Sequence, residues 1–231
     1  MKFIKFIAWD KQHPIGEPIP SVSSIPQWWK DGETDYIEDQ TGEKIAGMKK
    51  CIPFMEIMMS GYVIVTPFDL YVTKDKNSDI NIRWQGPSGW DGFVGERSVK
   101  LGSTLPRPAG HYKNGFVWSS QWSWKTPKGY SSIVTHPFNR FDLPFTTLSG
   151  TIDSDKFHAN GNIPFFLKEG FEGIIPKGTP IAQVIPVKRK KWKSWIDSTQ
   201  TDKIEMTQVN EIRSNPEKSY KKRFWQKKVY E

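Results

Sequence analysis

Between residues 62 and 187 the chain is a succession of short apolar runs broken by polar and turn-forming residues. Residues 62–72 alternate and are rich in β-branched side chains, which predicts a strand, with Pro67 marking an edge or a bulge. Residues 80–85 alternate as a half-buried strand does. Further strands are predicted at 99–101, 116–118, 122–124, 130–135, 163–167 and 181–187. Their close spacing, with Gly and Pro between them, argues for an all-β sandwich or distorted barrel. The stretch 86–110 is expected to be long loops around the strand at 99–101.

The flanks differ from this centre. Residues 1–10 suggest a short strand, since Lys5 and Asp10 interrupt any apolar run long enough for a signal peptide. Pro14, Pro18, Pro20 and Pro26 predict an extended, non-helical arm leading to Trp28 and Trp29, both candidate anchors on a partner or on the body. Residues 31–50 are acidic and polar, a loop between strands, and 55–59 form one apolar turn. No glycine follows Gly178 and the propensities turn helical. Asp202 is placed to cap a helix carrying Ile204, Val209 and Ile212. Asn215 and Pro216 open a second, with Tyr220 and Phe224 on one face and Trp225 and Val229 beside it. Three regions are therefore expected: an arm and loop at 1–50, a β-rich core at 51–187, and a short basic helical appendage at 188–231.

Composition narrows the class. With 231 residues, 14% of them aromatic, the chain is long enough and apolar enough to bury a core without cross-links. Its single cysteine, Cys51, excludes an internal disulfide and cysteine-pair zinc sites, and its apolar neighbours suggest a buried small hydrophobe. The four histidines, His13, His111, His136 and His158, make no metal-ligand spacing, so no metal is expected. No window approaches a membrane span. The net charge of +8 is uneven: residues 188–231 hold 13 Lys/Arg against 6 Asp/Glu, leaving 20 against 19 for the rest. Lys190, Lys191 and Trp192, then Lys221, Lys222, Arg223 and Trp225, interleave cations with aromatic rings. That chemistry suits nucleic acid or an acidic protein surface, and equally a solvated helix face.

Two segments carry a more specific signal. One is Gly150-Thr151-Ile152-Asp153-Ser154-Asp155; the other is Lys177-Gly178-Thr179-Pro180-Ile181-Ala182-Gln183. Their order and spacing resemble the β-fold shared by dUTP pyrophosphatases and dCTP deaminases. The resemblance implies that Asp153 stands at the position of the general base that orients water, with Asp155 beside it, and that Gln183 reaches the phosphates. It also marks departures. Lys156 stands where a base-stacking Tyr is expected, with Phe157 one place late and Tyr130 the other ring at hand. Residues 135–138 replace the phosphate-gripping Pro-Arg-Ser-Gly, leaving Arg140 as the nearest cation, and the glycine-rich C-terminal arm has no counterpart.

A second resemblance spans nearly the whole chain. Ile25 to Lys30, Cys51 to Phe54, Ser60 to Tyr62, Thr126 to Ser131, Gly150 to Asp155, and Phe224 with Trp225 resemble an uncharacterised family of bacteriophage-encoded proteins. Together the resemblances imply a non-catalytic phage protein acting through protein partners, in the virion or the host cytoplasm. They imply a homo-oligomer, with a trimer suggested by the enzymes of the fold. Two alternatives stand beside this expectation. One is a magnesium-dependent nucleotide hydrolase using Asp153, with Asp155, Gln183, Arg140 and Phe157 in the pocket. The other is a nucleic-acid-binding accessory protein using the basic tail.

Overall fold

The computed structural model describes residues 2–10, 15–77, 79–87, 90, 92–158, 161–196, 203–214 and 219–231. In chain order the elements are β1 (Lys5–Ala8), β2 (Ile19–Pro20), α1 (Gln27–Asp31), β3 (Asp35–Ile37), β4 (Lys44–Ala46), α2 (Ile52–Met59), β5 (Tyr62–Val65) and β6 (Leu70–Lys74). Then come β7 (Ile80–Arg83), β8 (Val94–Glu96), α3 (Val99–Gly102), β9 (His111–Ser119), β10 (Trp122–Lys125), β11 (Tyr130–Thr135) and β12 (Phe145–Thr147). The chain continues through β13 (Gly150–Ile152), β14 (Asn162–Lys168), β15 (Gly173–Ile175) and β16 (Pro180–Lys188) to α4 (Lys203–Ser214) and α5 (Ser219–Arg223).

The architecture is all-β with layered, sandwich-like sheets and a small helical C-terminal region. The main sheet has the order β13-β11-β16-β5-β2, and a second has the order β12-β14-β9-β8. A third, β15-β6-β7, packs beside them, while β1 pairs with β10 and β3 with β4. Every strand pairing is antiparallel.

One apolar cluster joins the three larger sheets. Val134, Ile181, Val184 and Ile64 enter it from the main sheet, Phe116, Trp118, Phe145 and Phe165 from the second, and Leu70, Val72 and Ile175 from the third. Trp118 stacks on Phe165 with ring centres 3.6 Å apart, and Phe145 meets Trp118 edge-on at 5.1 Å. Thr147 ties the sheets together, accepting from Trp118 Nε1 at 3.2 Å and donating to the Ile181 carbonyl at 2.6 Å. At the end of the main sheet Gly61, at φ +71°, lets the chain approach β16: a Cβ there would lie 2.2 Å from the Val184 carbonyl oxygen.

Several local expectations are corrected. The strand expected at 62–72 is two, β5 and β6, broken at Pro67 because that residue has no amide for a ladder. Residues 99–101 lie in the short helix α3, where the Ser98 hydroxyl accepts the Leu101 amide at 3.3 Å. The arm is not extended throughout. Pro26 precedes α1, whose first-turn amides need no ladder partner, so Trp28 and Trp29 are helical. The acidic stretch contains the hairpin β3–β4, and the apolar turn is the two-turn helix α2. Cys51 is exposed, because it precedes α2 instead of facing the core. In the tail α4 forms, but Asp202, Asn215 and Pro216 lie outside the described residues. The helix α5 ends at Arg223, so Phe224, Trp225 and Val229 follow it in irregular chain. Among the described residues no helix is long and apolar enough to cross a membrane.

Candidate functional site

The carboxylates singled out in the sequence meet where β11, β13 and β16 lie side by side. Residues Ser132, Ile133 and Val134 of β11 pair with Ile152, Thr151 and Gly150, so the chain leaving β13 sets Asp153 beside Ser131. On the other side Tyr130 and Ser131 pair with Lys188 and Val187, which delivers Arg189 to the same end. The Ser131 hydroxyl donates to Asp153 at 2.7 Å, and the Gly129 amide donates to Asp155 at 2.8 Å.

Arg189 then closes the cluster. Its Nη1 lies 3.0 Å from Asp153 Oδ1 and 2.9 Å from Asp155 Oδ1, and Nη2 donates to Asp155 Oδ2. The same Nη1 is 3.0 Å from the Tyr130 carbonyl and 3.0 Å from the Ser131 hydroxyl, and the Arg189 amide donates to the Gly129 carbonyl at 2.9 Å. The Asp155 side chain is 4% exposed and that of Asp153 56%. The guanidinium, helped by the Gly129 amide, holds the Asp155 carboxyl down at about 2. The Ser131 hydroxyl, then Arg189, lower Asp153, and Asp155 in turn raises Arg189. The buried hydroxyls of Thr126 and Ser132 each bond that of Ser154 at 2.8 Å, fixing the hairpin that carries both aspartates.

Gln183 sits elsewhere. It is opposite Thr135, four residues along β11 from Ser131 and so about 14 Å away at ~3.4 Å per residue. Its side chain is enclosed: Nε2 donates to the carbonyls of Ile57 at 3.0 Å and Ser60 at 2.5 Å, and Oε1 accepts the Phe138 amide at 2.9 Å. That amide belongs to the turn standing in for Pro-Arg-Ser-Gly, in which Asn139 adopts φ +60°. Arg140, from the same turn, forks onto Asp142 at 2.9 Å and borders an open groove of about 750 Å³ with Lys168 and Lys177. Phe157 is exposed, in the turn after Asp155, where its amide donates to the Asp153 carbonyl at 2.9 Å. Tyr130 takes a hydrogen bond from Lys2, which lowers its phenol pKa. The structure thus joins Asp153 and Asp155, and separates them from Gln183 and Arg140 within the chain.

The partner candidates divide in the same way. Trp29 is buried and stacks on Phe54 at 5.5 Å, while exposed Trp28 points Nε1 at Asp142, 3.4 Å away. Trp225 donates to Glu56 at 3.0 Å and Lys228 to the same carboxylate at 2.9 Å, so the chain end lies against α2. Lys221 and Lys222 are exposed, and Arg223 pairs with Glu211. Lys190 and Lys191 are exposed, and beyond them Trp192, Trp195 and Ile196 are 86%, 87% and 89% exposed.

No family model matches the chain, and no curated protein matches it. Among solved structures it is similar to phage dUTPases. A mutant dUTPase of phage phi11 of S. aureus, described with a structural Mg(II) ion, has a TM-score of 0.36 and 10% identity over 86% of this chain and 97% of that one. A second phi11 dUTPase structure scores 0.27 at 13% identity, covering 47% of this chain and 98% of that one. A mutant dUTPase of Staphylococcus bacteriophage 80alpha scores 0.33 at 10% identity, covering 87% and 98%. Scores this low leave the architecture to the sheet topology itself.

Sequence reasoning missed Arg189 and Ser131. Arg189 stood in a lysine run that reads as solvated charge. The available signal was its identity, since it is the one arginine among Lys188, Lys190, Lys191 and Lys193, and a guanidinium fork fits carboxylates as an ammonium does not. Ser131 had no signal beyond the strand it sits in. Among the described residues no group of three His, Cys, Asp or Glu side chains is placed to hold a metal ion.

Proposed function

We propose that this is a non-catalytic bacteriophage protein that works by binding other proteins, as a virion component or as an accessory in the infected cell. The observation that carries this reading is the use made of Asp153 and Asp155. Both are occupied by Arg189, the first residue after β16, and Arg189 opens the segment that presents Trp192, Trp195 and Ile196 to solvent. The two carboxylates thereby anchor an exposed segment. The Asp153 Oδ1 atom takes the Ser131 hydroxyl and the Arg189 guanidinium together, and both weaken this carboxylate as a base for water.

The same donor set fits Mg2+ poorly as arranged, because the guanidinium holds both oxygens of Asp155 and one of Asp153, and its charge would oppose a cation beside it. Gln183, spent on three peptide groups, has no spare donor for a phosphate. The test is incubation of the pure protein with a panel of nucleoside triphosphates and magnesium. No turnover is expected, and turnover that disappears in Asp153→Ala overturns the reading.

A second reading has one observation in its favour. Two indoles exposed among Lys188, Arg189, Lys190, Lys191 and Lys193 suit a single nucleic-acid strand, through phosphate neutralisation and base stacking. Binding of that kind weakens steeply with salt, at a slope of about −0.7 per neutralised phosphate on a single strand. Its absence in low salt removes this option.

A further inference from the structure

We infer that the exposed segment 188–196 docks onto the acidic hairpin β3–β4 of a second copy of this chain, a partner assignment that rests on the interaction reading above. The two surfaces are opposites. Residues 188–196 hold five Lys/Arg and no Asp/Glu, Arg189 being spent on Asp153 and Asp155, with Trp192, Trp195 and Ile196 almost fully exposed. Residues 31–43 hold six Asp/Glu and no Lys/Arg, and the hairpin 35–46, which adds Lys44, exposes Tyr36, Ile37 and Ile45. One surface supplies cations around large apolar groups; the other supplies carboxylates around apolar groups.

The hairpin also has a physical need for cover. Among the described residues β3 and β4 form a two-stranded sheet of their own, exposed along most of its length. Such a ribbon is marginal in water unless another surface packs on it. Its own chain satisfies part of it: Lys44 lies 3.2 Å from Asp35, Lys50 pairs with Asp35 too, and Thr41 donates to Glu38 at 2.7 Å. Asp31, Glu33, Asp39 and Glu43 remain on its exposed margin. Beside the hairpin opens an apolar cleft of about 640 Å³, walled by Met48, Ile52, Pro53 and Tyr220, which suits an indole ring. Of the lysines at that cleft, Lys49 donates to the Lys30 carbonyl at 2.7 Å and Lys50 is turned to Asp35. Lys221 also lines the cleft, where an ammonium can cap the face of an incoming indole.

Exposed indoles are effective interface anchors, and complementary charge sets which surface they choose. The contact joins different surfaces of the two copies, so it forms a reciprocal pair, a closed ring or an open filament, according to the rotation between copies. The fixed exit imposed by Arg189 reduces what must be ordered on docking.

The test is sedimentation velocity of the full chain over a wide concentration range, in low and in high salt, with circular dichroism confirming the fold of each variant. Association is expected, weaker in high salt. Trp192→Ser with Trp195→Ser, Lys190→Glu with Lys191→Glu, and Asp39→Lys with Glu43→Lys should each weaken it by roughly tenfold or more. The two charge reversals combined in one chain should restore it. A chain that stays monomeric throughout, or association untouched by the segment and hairpin variants, overturns self-docking while leaving the interaction reading standing. Oligonucleotide binding lost in the tryptophan variant but kept in the hairpin variant overturns it in favour of nucleic acid. Nucleotide turnover that depends on Asp153 removes the reading beneath it.

Discussion

Gln183 offers the sharpest separation between a structural and a ligand-binding role. Replacing it with Met keeps a long side chain of similar size, so the cavity contribution is small. What is lost is hydrogen bonding in a side chain that is 1% exposed. The Phe138 amide loses its acceptor, and stranding a buried donor costs about 1–3 kcal/mol. The other two groups keep partners: the Ile57 carbonyl still accepts the Ser60 amide at 3.3 Å, and the Ser60 carbonyl still accepts the Ser21 hydroxyl at 3.0 Å. Each of these lost bonds is therefore worth about 0.5 kcal/mol, the lower end of the usual range. The total is about 2–4 kcal/mol, or roughly 5–15 °C in Tm for a chain of this length. Urea unfolding followed by tryptophan fluorescence measures it as a lower midpoint at constant slope. A loss under about 0.5 kcal/mol, the scale of a surface change, refutes the argument. Gln183→Glu adds a control of known sign. Its second oxygen faces the Ile57 and Ser60 carbonyls, so the folded state favours the protonated acid, and stability should fall as pH rises above about 4.3.

His136 accepts the Thr147 amide at Nδ1, 3.3 Å away, and donates from Nε2 to the Arg140 carbonyl at 3.0 Å; burial is the main cause lowering its pKa below 6.5. Its contribution is complete above 6.5 and is lost as pH falls toward the lower folded value, so wild-type protein should lose stability on acidification below 6.5 faster than His136→Gln. Asp155 is held at about 2 against an ordinary 3.8, so its grip on Arg189 is complete above 3.8 and is lost as pH falls through 2. The NMR signals of the Arg189 side chain should keep their positions until that range, and at neutral pH Asp155→Asn should speed tryptic cleavage after Lys190 and Lys191.

Much of the β body was legible because its signal is local. The strands at 80–83, 130–135 and 163–167 were announced by short runs, apolar or alternating, set between turn residues, a pattern that neighbouring residues carry by themselves. Short segments were harder. Residues 99–101 have strand-like composition yet form a helical turn, because the neighbouring Ser98 outweighs propensity over so few residues. Cys51 looked buried by its neighbours, but whether a residue just before a helix faces inward depends on where that helix packs.

The aspartates could be named from Gly150-Thr151-Ile152-Asp153, a pattern contained within one hairpin. Their partner could not, since Arg189 lies 34 residues beyond Asp155 and reaches it only through the pairing of β11 with β16. For Gln183 the sequence supplied a polar residue in an apolar strand and nothing about its direction. The C-terminal end of α2 and the turn at Phe138 meet it there, and it bonds three of their peptide groups, as a buried amide must find partners. Periodicity and turn chemistry act between neighbours and so are written along the chain. Which charge meets which, and which polar group faces water, is decided only when distant strands come within a few ångströms, because hydrogen bonds and ion pairs are short-ranged and blind to sequence separation.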